Sequence, residues 1–289
     1  MGFMPVINTH SALRTPDMPE GVSLQPRRFV FDDLDAVPQY WFAGNPLLTH
    51  FENAFSIMIP PGERFFVRSV RNYADRLPEQ EARELLEAFA TQEELHSAAH
   101  EEMNASFARF GVAVEREAAR AEALFERVTR ILPPWAQLGV TAFSEHLTAV
   151  GAHFMFSDPD FEEWLDPQML DLWRWHAAEE LEHKAVAFDL FERFAGGYVR
   201  RVVSALLTAG LLLGPNIGIF RRLVRDDPHE PTRAERRQAR KVHLKLAGPQ
   251  LRMIGQYFRP GFHPWQLDDT AHLREWYESG AGEPTHPIG

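Results

Sequence analysis

Trp175-His176-Ala177-Ala178-Glu179-Glu180-Leu181-Glu182-His183-Lys184 is the stretch on which the reading of this 289-residue chain turns. At about 100° per residue, Glu180 and His183 fall roughly 60° apart on one helix face. An oxygen and a nitrogen ligand can then reach one metal ion from a single turn. Such a Glu-x-x-His unit is commonplace, because helices are rich in Glu. A second unit, Glu93-Glu94-Leu95-His96, makes the pattern rarer, as do single glutamates, Glu63 and Glu145, on the helix-forming stretch before each unit.

The order Glu, Glu-x-x-His, Glu, Glu-x-x-His is that of bundles whose four helices project these groups inward around two metals. The expected fold is therefore all-α, a ferritin-like four-helix bundle core with extra helices at its N- and C-terminal sides. Carboxylates suit hard ions and bridge pairs of them, while imidazole suits iron, manganese or zinc. His176 lies four residues before Glu180, and His100 four after His96. Both fall on the ligand-bearing stripes, as ligands or as supports behind them. The expected metal set is Glu63, Glu93, His96, Glu145, His176, Glu180 and His183, with His100 as a further candidate. Glu94, Glu101, Glu102, Glu179 and Glu182 point elsewhere by the same arithmetic, towards solvent or ion pairs. Glu145→Ala is accordingly expected to remove at least one metal, and Glu179→Ala to leave metal content nearly unchanged.

The surrounding punctuation divides the chain. Residues 1–28 hold several prolines and read as an extended or flexible arm. A helical metal-binding domain is expected over 29–265 and a short helical tail over 266–289. Asn45-Pro46 supplies a helix start, and Pro60-Pro61-Gly62 predicts an interruption, with Glu63 in the first turn of a renewed helix. There Glu63 has another reading, as an acid complementing the helix dipole. The stretch around Glu145 is nearly free of charge, so that helix should be buried all round, and a Glu there is costly unless paired or bound to metal. Thr141 and Thr148, about a turn either side of it, are candidates to line a cavity or simply to pack helices. Gly196-Gly197 predicts the end of the Glu180 helix. Val202 to Phe220 is almost wholly apolar and flanked by arginine pairs, with a break predicted at Gly214-Pro215. Three readings stay open for 202–220: a buried or homodimer-forming helix, an interfacial contact with a membrane, or a span. The basic stretch at 233–245 reads as a solvated face or a surface for an acidic partner.

Composition narrows the function classes. The chain has no cysteine, so disulfides, zinc–thiolate sites, iron–sulfur clusters and thiol nucleophiles are excluded. A net charge of -11 speaks against nucleic acid as a partner. No signal-peptide pattern opens the sequence, so a cytoplasmic location is expected, with peripheral binding at the inner membrane surface as the variant if 202–220 meets lipid.

Several runs are similar to a bacterial family of predicted metal-dependent hydrolases: Trp41 to Pro46, Pro61 to Arg71, Gln92 to His96, Glu145 to Ala149 and Trp175 to Asp189. The resemblance spans roughly residues 28 to 265 and implies a metal-dependent enzyme. More distantly, the chain resembles the p-aminobenzoate N-oxygenase family of di-iron enzymes, which has an extra His one turn before the last Glu-x-x-His, where His176 stands. That likeness implies His176 as a ligand and oxygen chemistry, but no pocket residue carries over the arylamine substrate.

The leading functional expectation is an enzyme with two iron ions that activates dioxygen to oxidise a small, apolar organic substrate, served by an electron donor protein. Manganese, a mixed manganese–iron pair or zinc would use the same ligands. In that reading Glu145 and one Glu of the Glu-x-x-His units bridge the metals. The alternatives are a two-metal hydrolase, which needs a free carboxylate or His as proton shuttle, and a non-catalytic metal-binding or membrane-associated interaction protein.

Overall fold

Asn45 caps the first long helix by accepting from the Leu47 and Leu48 amides, with Pro46 at the first helical position. The computed structural model describes residues 17–280, and the remainder of the expected arm and tail, 1–16 and 281–289, lies outside them. The chain is all-α: the helices are α1 (Pro46–Arg71), α2 (Gln80–Ser106), α3 (Val114–Ile131), α4 (Pro134–Ser157), α5 (Asp160–Trp164), α6 (Pro167–His183), α7 (Val186–Phe194), α8 (Tyr198–Asp226), α9 (Arg233–Ile254) and α10 (Thr270–Glu278). Helix α1 pairs with α2 and α4 with α6, and α1 and α4 also pack on each other. Together these four carry every candidate ligand. Helices α8 and α9 both lie across α1 and α4, while α10 closes against α4 and α6.

Three predicted breaks fall differently. Helix α1 runs through Pro60 and Pro61 without interruption, so Glu63 sits well inside a helix and not in a first turn. Pro60 has no N–H for the Ser56 carbonyl, and Asn104 Nδ2 on α2 donates to it instead, at 3.0 Å. The helix of Glu180 ends at His183, well before Gly196-Gly197. Lys184 turns inward there, donating to Leu267 O at 2.6 Å and pairing with Asp269 at 2.7 Å. Helix α8 passes through Gly214-Pro215 unbroken.

Residues 17–28 have no helix but are tied down. Met18, Val22, Leu24 and Arg27 are buried, and the Arg27 guanidinium reaches α6.

Candidate metal centre

Glu63 of α1, Glu93 and His96 of α2, Glu145 of α4, and His176, Glu180 and His183 of α6 are all buried. The donor atoms of Glu63, His96, His176 and Glu180 lie within 4.8 Å of one another, and so do those of Glu93, Glu180 and His183. Glu180 belongs to both groups. Its Oε1 is 2.8 Å from His176 Nε2 and its Oε2 3.4 Å from His183 Nε2. Glu145 Oε2 lies 3.2 Å from that same His183 nitrogen, and Glu93 Oε1 3.1 Å.

The hydrogen bonds around the cluster decide where the imidazole protons sit. Ser56 Oγ donates its single proton to Asn104 Oδ1 at 2.8 Å, so it accepts from His100 Nδ1 at 2.9 Å. His100 Nε2 must then accept, and His176 Nδ1 donates to it at 2.8 Å. The remaining nitrogen of His176, Nε2, turns to the cluster, 2.8 Å from Glu180 Oε1 and 3.8 Å from Glu63 Oε1, so that a proton or a metal ion must lie between it and Glu180. His96 Nε2 donates to Glu179 Oε2 at 3.1 Å, which leaves its Nδ1 bare. Gln92 donates to Glu182 at 2.8 Å, so its Oε1 accepts from His183 Nδ1 at 3.1 Å and leaves His183 Nε2 bare. In each of the three rings the outer nitrogen holds the proton and the inner one faces carboxylate oxygens. His96 Nδ1, His183 Nε2 and both carboxylate oxygens of Glu93 and Glu145 have no hydrogen-bond partner despite burial. Lone pairs opposed to carboxylates in a buried site call for cations between them.

The family of predicted metal-dependent hydrolases matches residues 25–268. The chain belongs to that family. No curated protein and no solved structure matches it.

Charge in this hydrolase-family site points the same way. Burial pushes the Glu145 carboxyl up to about 7 and those of Glu63 and Glu93 well above their ordinary range. Burial also acts on Glu180, but His183 and His176 outweigh it and hold that carboxyl well below the usual value. Burial lowers His183, but Glu145 and Glu180 outweigh it and drive the imidazole upward, so that without an ion its inner nitrogen takes a proton in the place a metal would fill. A proton and a metal ion thus compete for the same side of the cluster.

The first ring of supporting residues was only partly legible. Glu179 and Glu182 do turn away from the cluster into ion pairs, yet neither is solvated. Arg27 joins them, with Nη1 3.3 Å from Glu179 and Nη2 2.8 Å from Glu182. Tyr277 Oη adds a bond to Glu182 at 2.7 Å. His100 stands behind His176 and outside both ligand groups. Ser97 Oγ donates to Glu63 Oε2 at 2.7 Å. Glu94 and Glu101 pair with Arg71 and Arg64 at the surface.

A cavity of about 330 Å³ opens onto Glu63, His176 and Glu180 and is walled chiefly by Phe51, Phe55, Met58, Phe66, Leu147 and Leu212. Thr148 lines it and donates to Glu180 Oε2. Thr141 does not line it; its hydroxyl bonds Ser69 Oγ at 2.7 Å and serves the α1–α4 packing. Glu52 also lines the cavity, and burial pushes its carboxyl up to about 7. The spacing from Glu52 to Glu63 is eleven residues, about three helical turns, which places both on one face of α1 and was the available signal.

Proposed function

We propose that the chain is a dinuclear metal enzyme that hydrolyses a small, largely apolar substrate. Glu63, His96, His176 and Glu180 would hold one ion, and Glu93, Glu145, Glu180 and His183 the other, with Glu180 shared. The observation that carries the metal part of this reading is the imidazole arrangement, in which three rings donate from their outer nitrogens and turn their inner ones to the carboxylates; the family match supports hydrolysis. Two divalent ions there would supply Lewis acidity and a water acidified to near-neutral pKa. The protein contributes the rest. The apolar walls exclude bulk water and seat the substrate. Thr148 fixes the carboxylate of Glu180. Glu52, set in the cavity wall with its carboxyl pushed up to about 7 by burial, would donate a proton to the leaving group from its protonated form.

A second reading has its own support. The single Glu and Glu-x-x-His groups on four helices match the ligand pattern of ferritin-like proteins that react with dioxygen, and an apolar cavity suits oxidation as well as hydrolysis. The experiment that separates them supplies the iron-, manganese- or zinc-loaded protein with short- and medium-chain aryl esters and measures product release beside oxygen uptake. Metal-dependent ester cleavage without oxygen consumption supports hydrolysis. Reductant-dependent oxygen consumption by the iron form, with no cleavage, overturns it in favour of oxidation.

A further inference from the structure

Helix α8 carries an apolar stripe that the other described residues leave uncovered. Val199, Val203, Leu206, Leu213 and Ile217 are exposed, Val199 at 73% and Leu206 at 64%. At about 100° per residue they fall within an arc of roughly 80°, opposite the buried Ser204, Thr208 and Ile219, and run for about 27 Å. The helix is long and apolar enough to cross a membrane, yet its inner face is committed to α1 and α4. A helix built in this way lies along a surface instead of passing through it.

Charge identifies the surface. The chain as a whole is acidic at -11, but residues 198–259 hold thirteen Lys and Arg against four Asp and Glu. Several of these cations are already paired, Arg222 with Glu117, Arg225 with Asp226 and Lys245 with Asp158 and Asp160, but Arg221 follows the stripe and Arg237, Arg240 and Lys241 are exposed on α9. Helices α8 and α9 are antiparallel, tied at their open end by Tyr198 Oη donating to Phe258 O at 2.9 Å. Both pack on α1 and α4, so their outward faces share one side of the molecule. Leu244 and Leu251 of α9 add apolar surface at 64% and 66% exposure. Two copies meeting through this face would bring like charges together, whereas anionic lipid headgroups neutralise them while acyl chains take the stripe.

The wall of the cavity formed by α8 and α9 is on the same side. Leu212, Leu213 and Asn216 of α8 and Gln250 of α9 line the cavity together with His176 and Glu180. We infer that α8 and α9 seat the protein on an anionic membrane surface and that the cavity takes an amphiphilic substrate from that surface. The second half of this inference rests on the cavity being the substrate pocket; the first half does not.

The absence of native cysteine allows a clean test on the full-length chain. An L213C variant and an E81C control on α2 are labelled with an environment-sensitive nitrobenzoxadiazole dye. Each is titrated with vesicles of phosphatidylcholine alone and of phosphatidylcholine mixed with phosphatidylglycerol. The expected result is a blue shift of the L213C label with the anionic vesicles only, and none for E81C. Co-flotation of the unlabelled protein should fall at least tenfold in R237E/R240E and in L206D, whose exposed positions leave the helical circular dichroism and metal content unchanged. No flotation of the wild type at low salt overturns the inference, as does a dimer that L206D dissolves while vesicles fail to bind. These readouts need no turnover, so they fail or succeed separately from the hydrolytic reading. Flotation that leaves the L213C label unshifted overturns the seating of α8 on lipid and, with it, substrate access from the membrane.

Discussion

Glu179 Oε2 lies 3.1 Å from His96 Nε2, with both side chains wholly buried. This bond turns the His96 ring so that Nδ1 faces Glu63, and Arg27 holds Glu179 from behind. Supports of this kind set tautomer and basicity of a metal-binding imidazole. Helix angles alone lead to the expectation that Glu179→Ala leaves metal content nearly unchanged, and this bond argues for the opposite outcome. Glu179→Gln should weaken binding of one metal by about 10- to 100-fold. Titration of apoprotein with ferrous or zinc ion checks it, and unchanged affinity would remove Glu179 from the site.

Glu52 should report in the pH–rate profile. As a proton donor it must be protonated, so kcat/KM should fall as pH rises through about 7, where burial has placed its carboxyl. Glu52→Gln should lower kcat by about 10²- to 10⁴-fold and remove that limb of the profile. Its metal content should match the wild type, which separates a proton-transfer role from a ligand role.

Asn104 replaces the backbone donor that Pro60 lacks, and its Oδ1 fixes the Ser56 proton at the start of the chain leading to His176. Asn104→Ala leaves the buried Ser56 carbonyl unpaired and should cost about 1–3 kcal/mol. Urea unfolding of the apoprotein measures this. A neutral result would mean that α1 tolerates its prolines without help from α2.

Glu117 fastens α3 to α8. It is buried and accepts from Arg222 Nη2 at 2.7 Å, Arg120 at 2.6 Å and Arg116 at 3.0 Å. Burial alone would raise its carboxyl, but these guanidiniums prevail and hold it below the ordinary range. A depressed folded pKa means that the unfolded chain takes up the proton first as pH falls. The stabilisation is full above the unfolded value near 4.5 and is lost below it. Glu117→Gln should therefore cost about 1–2 kcal/mol at neutral pH, with the gap to wild type closing below pH 4.5 in urea melts.

The helical class and the convergence of the seven ligand-type residues were legible because they depend on local periodicity. Spacing places Glu93 with His96, and Glu180 with His183, whatever surrounds them. Helix limits were less legible where a distant residue settles them. Pro60-Pro61 obeys the local rule for a break until Asn104, on another helix, takes the abandoned carbonyl. Just past the end of α6, Lys184 likewise meets its partner Asp269 from far along the chain. Arg27 gave no signal, since nothing near it in sequence foretells a guanidinium between two buried glutamates of α6. Angular arithmetic turned Glu179 and Glu182 away from the cluster correctly, but it is silent on whether solvent or a buried cation awaits them.

The most direct measurement is metal per chain in wild type and Glu180→Ala, by elemental analysis of protein purified without chelator. Because Glu180 lies in both ligand groups, the account predicts two ions in the wild type and loss of both in the variant under the same dialysis. A single ion in the wild type, or a variant that keeps two, would contradict a dinuclear centre built around Glu180.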